Sequence, residues 1–353
     1  MKKGSIIYWS LLFMKKILLL FLIIFCSCAE EKSVTDVGSA IPQNDDQFPC
    51  LNSTTDCLNT LNLGSDSEWT FNYYSSFPLD STWNVTGAII VVHGFNRNAD
   101  EYFENMLSVV QSLDLEDQVI VIAPDFSTQD DNPGDQEILW TANSWKQGSL
   151  SVYKTNKQQL SSFAVIDTII FDLKNEQYYP NLNTILVTGH SAGAQFTYLY
   201  SATNNIENTL NDKQLLYAVA NSSSYLYLNE LRQVDSNYYI PTDCNDYNNW
   251  PFGLQDRNNY ASNISSYDII DQVIQRNVNY FNGLLDTASS TYGCQYTLQG
   301  ANRLDTGQRH FDFLNYYFPN HNHLFNTVPG ASHDNREIYL STEFINLVVE
   351  NFQ

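Results

Sequence analysis

The chain has little positive charge and lacks the glycine-rich motifs that bind nucleotides. It carries 17 Lys and Arg against 39 Asp and Glu, which gives a formal net charge of -22 at pH 7, and no basic cluster follows residue 16. An acidic surface repels polyanions, so we expect no nucleic-acid partner. Neither a GxGxxG segment after a strand-like run nor a P-loop is present, and we therefore expect no nucleotide cofactor.

Paired CxxC motifs are also missing, so no zinc site is expected. Long hydrophobic runs are equally rare. The apolar run at residues 17–25 is too short for a transmembrane helix, which needs about 20 apolar residues. It follows Lys15 and Lys16 and precedes small residues, the order typical of a secretory signal. A weaker segment of the same kind begins at Met1, and translation from Met14 is the simplest explanation.

The end of this signal resembles that of a bacterial lipoprotein, in which the Cys after the cleavage point is lipidated. Ser27 precedes Cys28, which makes Cys28 the candidate lipidation site and a candidate membrane tether. Phe25 stands where that pattern has Leu, so ordinary cleavage near Ala29 stays open. Either form predicts a secreted or cell-envelope location.

Four cysteines remain beyond the signal: Cys50, Cys57, Cys244 and Cys294. An even number in an exported chain predicts disulfides. Pairing of Cys50 with Cys57 would close a local loop, and pairing of Cys244 with Cys294 would join two loops. Four buried free thiols are the alternative.

Strand-like and helix-like segments alternate along the rest of the chain. Short apolar runs with β-branched residues predict strands buried on both faces of a parallel sheet. Helical spacing of apolar residues predicts helices between them. The fold class is therefore α/β, a mostly parallel central sheet flanked by helices, with residues 68–74 as an antiparallel edge strand. The predicted strands are 87–93, 118–123, 184–188, 215–220, 278–281 and 324–328, and the predicted helices are 157–173, 192–202 and 342–352.

The clearest chemical motif is Gly189-His190-Ser191-Ala192-Gly193. It lies between a predicted strand and a predicted helix, the context in which GxSxG places a nucleophilic Ser on a strained turn. Glycines at both ends allow strand and helix to approach closely. A glycine-lined turn with an ordinary surface Ser is the alternative.

From this motif outward, over residues 67–353, the chain resembles the α/β-hydrolase superfamily. Val91-Val92-His93-Gly94-Phe95 resembles the His-Gly oxyanion loop of that family. The resemblance implies that the backbone N–H groups of Phe95 and Ala192 form the oxyanion hole. It also implies that His93 is structural and not the catalytic base.

In this family the acid and the base follow the nucleophile in the order Ser, acid, His. His333 lies in a turn between the last predicted strand and the last predicted helix, where the family has its base. Asp286 follows the predicted strand 278–281 and is the candidate acid that orients this His. Asp271 and Asp305 are alternatives for the acid, although one precedes that strand and the other lies in a helix-like segment.

The remaining histidines and two tryptophans give weaker indications of a functional site. His321 and His323 lie two residues apart, but no neighbouring ligands complete a metal site, and no metal is expected. Trp140, Trp145 and His190 are candidates for lining the pocket, with core filling as the alternative for the tryptophans.

Residues 140–148, residues 299–303 and the Tyr-Gly-Cys ending at Cys294 are similar to secreted esterase-like and polyester-depolymerase-like enzymes. The resemblance to the α/β-hydrolase superfamily, with Ser191, Asp286 and His333 in the order of that family, implies a carboxylic-ester hydrolase that works through an acyl-enzyme on a small-molecule or polymeric ester. A serine peptidase on the same fold and a non-catalytic, surface-tethered binding protein are the alternatives. The predicted organisation is a signal segment (1–28), a tether and N-terminal extension (29–66) and a catalytic domain (67–353).

Overall fold

The computed structural model of the chain describes residues 48–53, 55–235, 237–289 and 293–353. The predicted signal segment, Cys28 and the tether up to residue 47 lie outside the described residues. Within the described residues, no helix is both long enough and apolar enough to cross a lipid bilayer.

The centre of the structure is an eight-stranded sheet with the strand order β1-β2-β4-β3-β5-β6-β9-β10. Neighbours from β4 through β10 pair in parallel, whereas β2 is antiparallel to β1 and β4. The predicted fold class is therefore confirmed. The strands are β1 (Leu58–Leu63), β2 (Trp69–Ser75), β3 (Gly87–Val92), β4 (Val119–Pro124), β5 (Thr184–His190), β6 (Gln214–Ala220), β7 (Arg232–Val234), β8 (Asn237–Tyr239), β9 (Val278–Gly283) and β10 (His323–Val328), of which β7 and β8 form a separate hairpin.

Helices connect the strands and cover both faces of the sheet. Three of them, α2, α3 and α8, lie in the segments predicted to be helical, although α2 begins at Ser162 and not at residue 157. The helices are α1 (Ala99–Ser112), α2 (Ser162–Leu173), α3 (Ala192–Thr203), α4 (Ser266–Gln275), α5 (Cys294–Thr297), α6 (Arg303–Tyr317), α7 (Asn335–Tyr339) and α8 (Thr342–Phe352).

The edge of the sheet differs from the expectation. The strand predicted at residues 68–74 is antiparallel β2 (Trp69–Ser75), but β1 lies outside it, with Leu58 opposite Tyr74 and Leu63 opposite Trp69. The sheet thus begins inside the segment assigned to the N-terminal extension. The sequence of β1, LNTLNL, alternates weakly and stays largely exposed, so it carries little strand signal.

Successive side chains along each strand point to opposite faces of the sheet and so pack in two different layers. Every residue of β3, β4 and β5 is buried. Ile90 and Val92 pack in the layer of α2 and α3, while Ile89 and Val91 pack in the layer of α1 and α8. The carboxyl ends of these parallel strands share one edge, where ligands bind in open α/β sheets.

Both predicted disulfides are present. Cys50 and Cys57 close a local loop with their Cα atoms 5.6 Å apart. Cys244 and Cys294 link residues 50 positions apart, with Cα atoms 5.8 Å apart. The second bond fastens the irregular segment after β8 to the start of α5.

Candidate active site

The GxSxG segment forms the turn between β5 and α3. Ser191 has φ 58° and ψ -113°, a left-handed conformation that is strained for a residue with a side chain. A Cβ on Gly189 would collide with the backbone of Gly193, and a Cβ on Gly193 with the carbonyls of Val92 and His93. Both glycines are required by this close approach, and the turn presents the Ser191 hydroxyl at the N-terminus of α3.

Ser191, His333 and Asp286 form a continuous hydrogen-bonded chain. Ser191 Oγ lies 2.9 Å from His333 Nε2, and His333 Nδ1 lies 2.7 Å from Asp286 Oδ2. The three residues follow β5, β10 and β9 respectively, so their meeting depends on the strand order. Asp286 is only 2% exposed, whereas 32% of the His333 side chain faces solvent.

The hydrogen bonds determine which nitrogen of His333 carries the proton. An ionised carboxylate only accepts, so His333 donates its Nδ1–H to Asp286 and presents an unprotonated Nε2 to the Ser191 hydroxyl. That is the protonation state of a general base poised to take the Ser proton.

The two alternative acids lie elsewhere. Asp305, in the first turn of α6, forms an ion pair with Arg309 at 2.8 Å. Asp271 is exposed on α4 and accepts a hydrogen bond from Gln275 at 2.7 Å. Among the described residues, Asp286 is the carboxylate bonded to His333.

His93 holds the loop of Gly94 and Phe95 from inside the protein. Its Nε2 accepts the Phe126 N–H at 3.0 Å, and its Nδ1 donates to the Gly94 carbonyl at 2.9 Å. Burial lowers the pKa of His93 to about 4, so the ring is neutral at pH 7, as these bonds require. The structure places His93 in a supporting position, bonded to backbone and not to Ser191.

The candidate oxyanion donors, the backbone N–H groups of Phe95 and Ala192, belong to residues close to Ser191. Phe95 lines the same cleft as Ser191, and Ala192 is the next residue, in the first turn of α3. Within the described residues, neither N–H donates to a protein acceptor. The Phe95 carbonyl accepts a hydrogen bond from Arg97 Nη1 at 3.0 Å, and Arg97 is held by Asp131 at 2.6 Å. Two N–H groups without a protein acceptor, one on a fixed loop and the other at the start of α3, suit a developing oxyanion.

Ser191 faces a cleft of about 410 Å³. Its charged lining residues are Arg303, Glu101 and Asp334. Arg303 Nη1 lies 3.5 Å from Asp286 Oδ1, the carboxylate oxygen that does not face the base. Phe95 offers an apolar surface at the cleft with 49% of its area exposed.

Trp140 and Trp145 are core residues, which corrects the prediction that they line the pocket. Both are fully buried. Trp140 packs edge-on against Phe126 with ring centroids 5.4 Å apart, and Trp145 stacks on the same ring at 5.8 Å. Because the Phe126 backbone bonds to His93, the tryptophans support the oxyanion loop from the interior. A local run of aromatic residues does not reveal which side of a loop faces the core.

His190 is among the residues that line the cleft at Ser191. Its Nδ1 lies 3.3 Å from the Tyr102 hydroxyl, and its ring packs against the His333 ring with centroids 4.6 Å apart. Burial lowers the pKa of His190 well below its usual value, and the positive charge of Arg303 lowers it further. A neutral His190 therefore lies beside His333.

The other histidines have structural partners. His323 Nδ1 lies 2.7 Å from the Tyr280 hydroxyl, and His310 Nε2 lies 2.7 Å from the Tyr198 hydroxyl. Burial lowers the pKa of both histidines. In the part of the chain that the structure describes, no three His, Cys, Asp or Glu side chains are grouped to hold a metal ion.

No sequence pattern indicates a catalytic role for Tyr102, Asn221 or Arg303, which all contact Ser191, Asp286, His333 or their chain neighbours. Arg303 falls in the segment 299–303, but a lone Arg in a helix-like stretch does not indicate which side chain it contacts. Asn221 had a usable signal, because an Asn directly after a buried strand is typical of a left-handed turn.

Comparisons with known proteins agree with this architecture. No protein-family model matches the chain, and no curated protein matches it significantly. The structure is similar to LpqC, a poly(3-hydroxybutyrate) depolymerase from Bordetella parapertussis, with a TM-score of 0.57, 15% identity and coverage of 79% of this chain and 85% of that one. It is also similar to poly(aspartic acid) hydrolase-1 from Sphingomonas sp. KT-1, with a TM-score of 0.58, 19% identity and coverage of 83% and 98% respectively. At these identities the similarity establishes the fold.

Proposed function

We propose that this chain, which has the α/β-hydrolase fold, is a serine hydrolase that cleaves carboxylic esters through an acyl-enzyme. The observation that carries the proposal is the hydrogen-bonded chain from Ser191 through His333 to Asp286, at 2.9 and 2.7 Å. A strained Ser beside a neutral imidazole that a buried carboxylate orients is the arrangement that activates a hydroxyl for attack on an acyl carbon.

The geometry supports the following sequence of steps. His333 Nε2 takes the proton from Ser191 Oγ as this oxygen attacks the acyl carbon. The N–H groups of Phe95 and Ala192 stabilise the oxyanion, and the N-terminus of α3 adds to this effect. His333 then protonates the leaving alcohol. It next activates the water that releases the acid from Ser191, while Asp286 stabilises the imidazolium throughout.

The substrate class that we propose is a small-molecule or polymeric ester. The names of the two similar proteins support a polymer, since one is a poly(3-hydroxybutyrate) depolymerase and the other a poly(aspartic acid) hydrolase. The solvent-facing His333 and the exposed Phe95 ring at the cleft are compatible with a long substrate that continues beyond the site.

The experiment that tests the reaction type compares wild-type protein with Ser191→Ala and His333→Ala. Hydrolysis of short p-nitrophenyl esters and labelling by a fluorophosphonate probe are expected in wild type. The variants should lose about 10⁴-fold or more in kcat. Ser262→Ala and His321→Ala, which alter an exposed Ser and a His away from the triad, are the matched controls and should keep full activity. Activity that survives in both triad variants would contradict the proposal.

A peptidase and a binding protein are distinguished in the same series. Wild type should hydrolyse p-nitrophenyl esters far faster than the matched p-nitroanilides, because the preference for esters is part of the proposal. Faster anilide cleavage would favour a peptidase. No labelling and no hydrolysis by a folded wild type would favour a non-catalytic binding protein.

We further propose that the protein acts outside the cytoplasm and is tethered through Cys28. Its two disulfides support export, because such bonds form in oxidising compartments. Cell fractionation and the mass of the mature N-terminus test this proposal. Cys28→Ala should move the protein from the membrane fraction to the soluble exported fraction. Recovery of the full-length chain from the cytoplasm would contradict export.

A further inference from the structure

Asn221 is a buried polar residue at the point where the segments carrying the triad converge. It directly follows β6 and is fully buried. Its φ of 51° is a left-handed conformation that Asn adopts more readily than most residues. A buried carboxamide costs free energy unless its donors and acceptor are paired, and here every partner lies on a different segment.

The carboxamide makes three hydrogen bonds. Oδ1 accepts the Gly283 N–H at 2.8 Å. Nδ2 donates to the Ser332 carbonyl at 3.0 Å and to His190 Nε2 at 3.3 Å. The bonds satisfy the side chain in both of its roles, as acceptor and as donor.

Each partner is a near neighbour of a triad residue in the chain. Gly283 begins the acid loop (residues 283–286), Ser332 belongs to the base loop (residues 329–333), and His190 precedes the nucleophile. One side chain thus contacts all three segments whose relative placement determines the triad distances.

The bond to His190 also sets the state of that ring. Because Asn221 Nδ2 donates, His190 Nε2 accepts, and His190 Nδ1–H donates to the Tyr102 hydroxyl. The ring that packs 4.6 Å from the His333 ring is thereby held neutral and in one orientation.

We propose that Asn221 is a positioning residue that holds the nucleophile turn, the acid loop and the base loop in register. The proposal rests on the proposed function, since it treats Ser191, Asp286 and His333 as the reacting groups. Misplacement of reacting groups by about 1 Å costs about 100-fold in rate. Loss of the three hydrogen bonds by which Asn221 joins these segments should therefore lower the rate of the chemical step.

Asn204 provides a matched control. It is also fully buried, and its Nδ2 donates to the Tyr200 carbonyl and the Tyr217 hydroxyl, both at 2.8 Å. It lies at the C-terminal end of α3, whereas Ser191 lies at the N-terminal end. Asn204→Ala therefore removes an equally buried amide away from the triad.

The first test compares Asn221→Ala with Asn204→Ala in kcat, KM and the urea midpoint. Asn221→Ala should lose about 10- to 100-fold in kcat, with KM changed less than about 3-fold and fluorophosphonate labelling slowed in parallel. Asn204→Ala should lower the urea midpoint comparably and keep kcat within about 2-fold. Equal kcat values in the two variants would overturn the positioning role.

Asn221→Asp preserves the side-chain volume and gives an independent readout if the Ala variant does not fold. The introduced carboxylate still accepts the Gly283 N–H but cannot donate to Ser332, and it places a negative charge beside His190 and His333. Coulomb attraction to the imidazolium should move the acid limb of the kcat/KM profile to higher pH. An acid limb identical to that of wild type would overturn the proposal.

The wild-type protein in the same assay separates this inference from the proposed function. An inactive wild type overturns the proposed hydrolase activity. An active wild type together with a fully active Asn221→Ala variant overturns the positioning role alone.

Discussion

Replacement of Asp286 by Asn should reverse the tautomer of His333, the proposed base. In the structure one carboxylate oxygen accepts from His333 Nδ1 at 2.7 Å, and the other lies 3.5 Å from Arg303 Nη1. A guanidinium only donates, so the amide of the variant will turn its oxygen toward Arg303 and its NH₂ toward His333. His333 Nδ1 must then accept, the ring proton moves to Nε2, and the base can no longer take the Ser191 proton.

The expected loss follows from this geometry. The wrong tautomer and the missing negative charge together cost about 10⁴-fold in kcat in a Ser-His-Asp triad. At about 1.36 kcal/mol per factor of ten, this loss corresponds to about 5.5 kcal/mol of transition-state stabilisation. KM should change little, because Asp286 is buried behind the base and only 2% exposed.

The assay is steady-state hydrolysis of a p-nitrophenyl ester by Asp286→Asn, with Asp305→Asn and Asp271→Asn as controls. Both controls should stay within about 3-fold of wild type, since their carboxylates bond Arg309 and Gln275 instead of His333. A folded Asp286→Asn variant that keeps more than a tenth of wild-type kcat would refute the reasoning. A collapse of activity in Asp305→Asn would transfer the acid role to that residue.

Three further predictions concern stability, each measured as the free energy of unfolding in urea. Replacement of Cys244 and Cys294 by Ser should cost about 4 kcal/mol, because the bond closes a loop of 50 residues in the unfolded chain. Burial lowers the pKa of His93 to about 4, below the value of about 6.5 in the unfolded chain, so wild-type stability should fall as pH drops from 6.5 to 4. This group contributes up to about 3 kcal/mol to that slope, and His93→Gln should remove its share. Burial raises the pKa of Asp125 to about 7. Its ionisation therefore destabilises the fold increasingly from pH 4 to pH 7. Asp125→Asn should stabilise the protein by up to about 4 kcal/mol at pH 8 but not at pH 4. For His93→Gln the change in stability should differ between pH 6.5 and pH 4, and for Asp125→Asn between pH 8 and pH 4. A change that is equal at the two pH values would contradict the origin assigned to that effect.

Much of the fold was predictable because its signals are local. The strands β3, β4, β5 and β6 are continuous apolar runs, and burial on both faces of a parallel sheet selects such runs. The segment around Ser191 was equally clear, since a strand-to-helix turn this tight accepts only Gly at positions 189 and 193. Strand β1 was missed because an exposed edge strand imposes little on its sequence.

The two tryptophans mark the limit of local inference. Their residue type and place after β4 suited either a pocket wall or the core. The decision depended on the packing of Phe126 and His93, which come from two other segments.

The sequence by itself determined the class of the sheet, the nucleophile turn at Ser191 and the set of candidate partners. Those features depend on hydrophobic periodicity and on steric limits within a few residues. Only the tertiary structure decided that Asp286 and not Asp305 reaches His333, that Arg303 contacts the same carboxylate, and that one amide side chain contacts all three triad segments. These contacts join residues 17 to 111 positions apart, and such distances are set by strand order and loop packing, which no local pattern encodes.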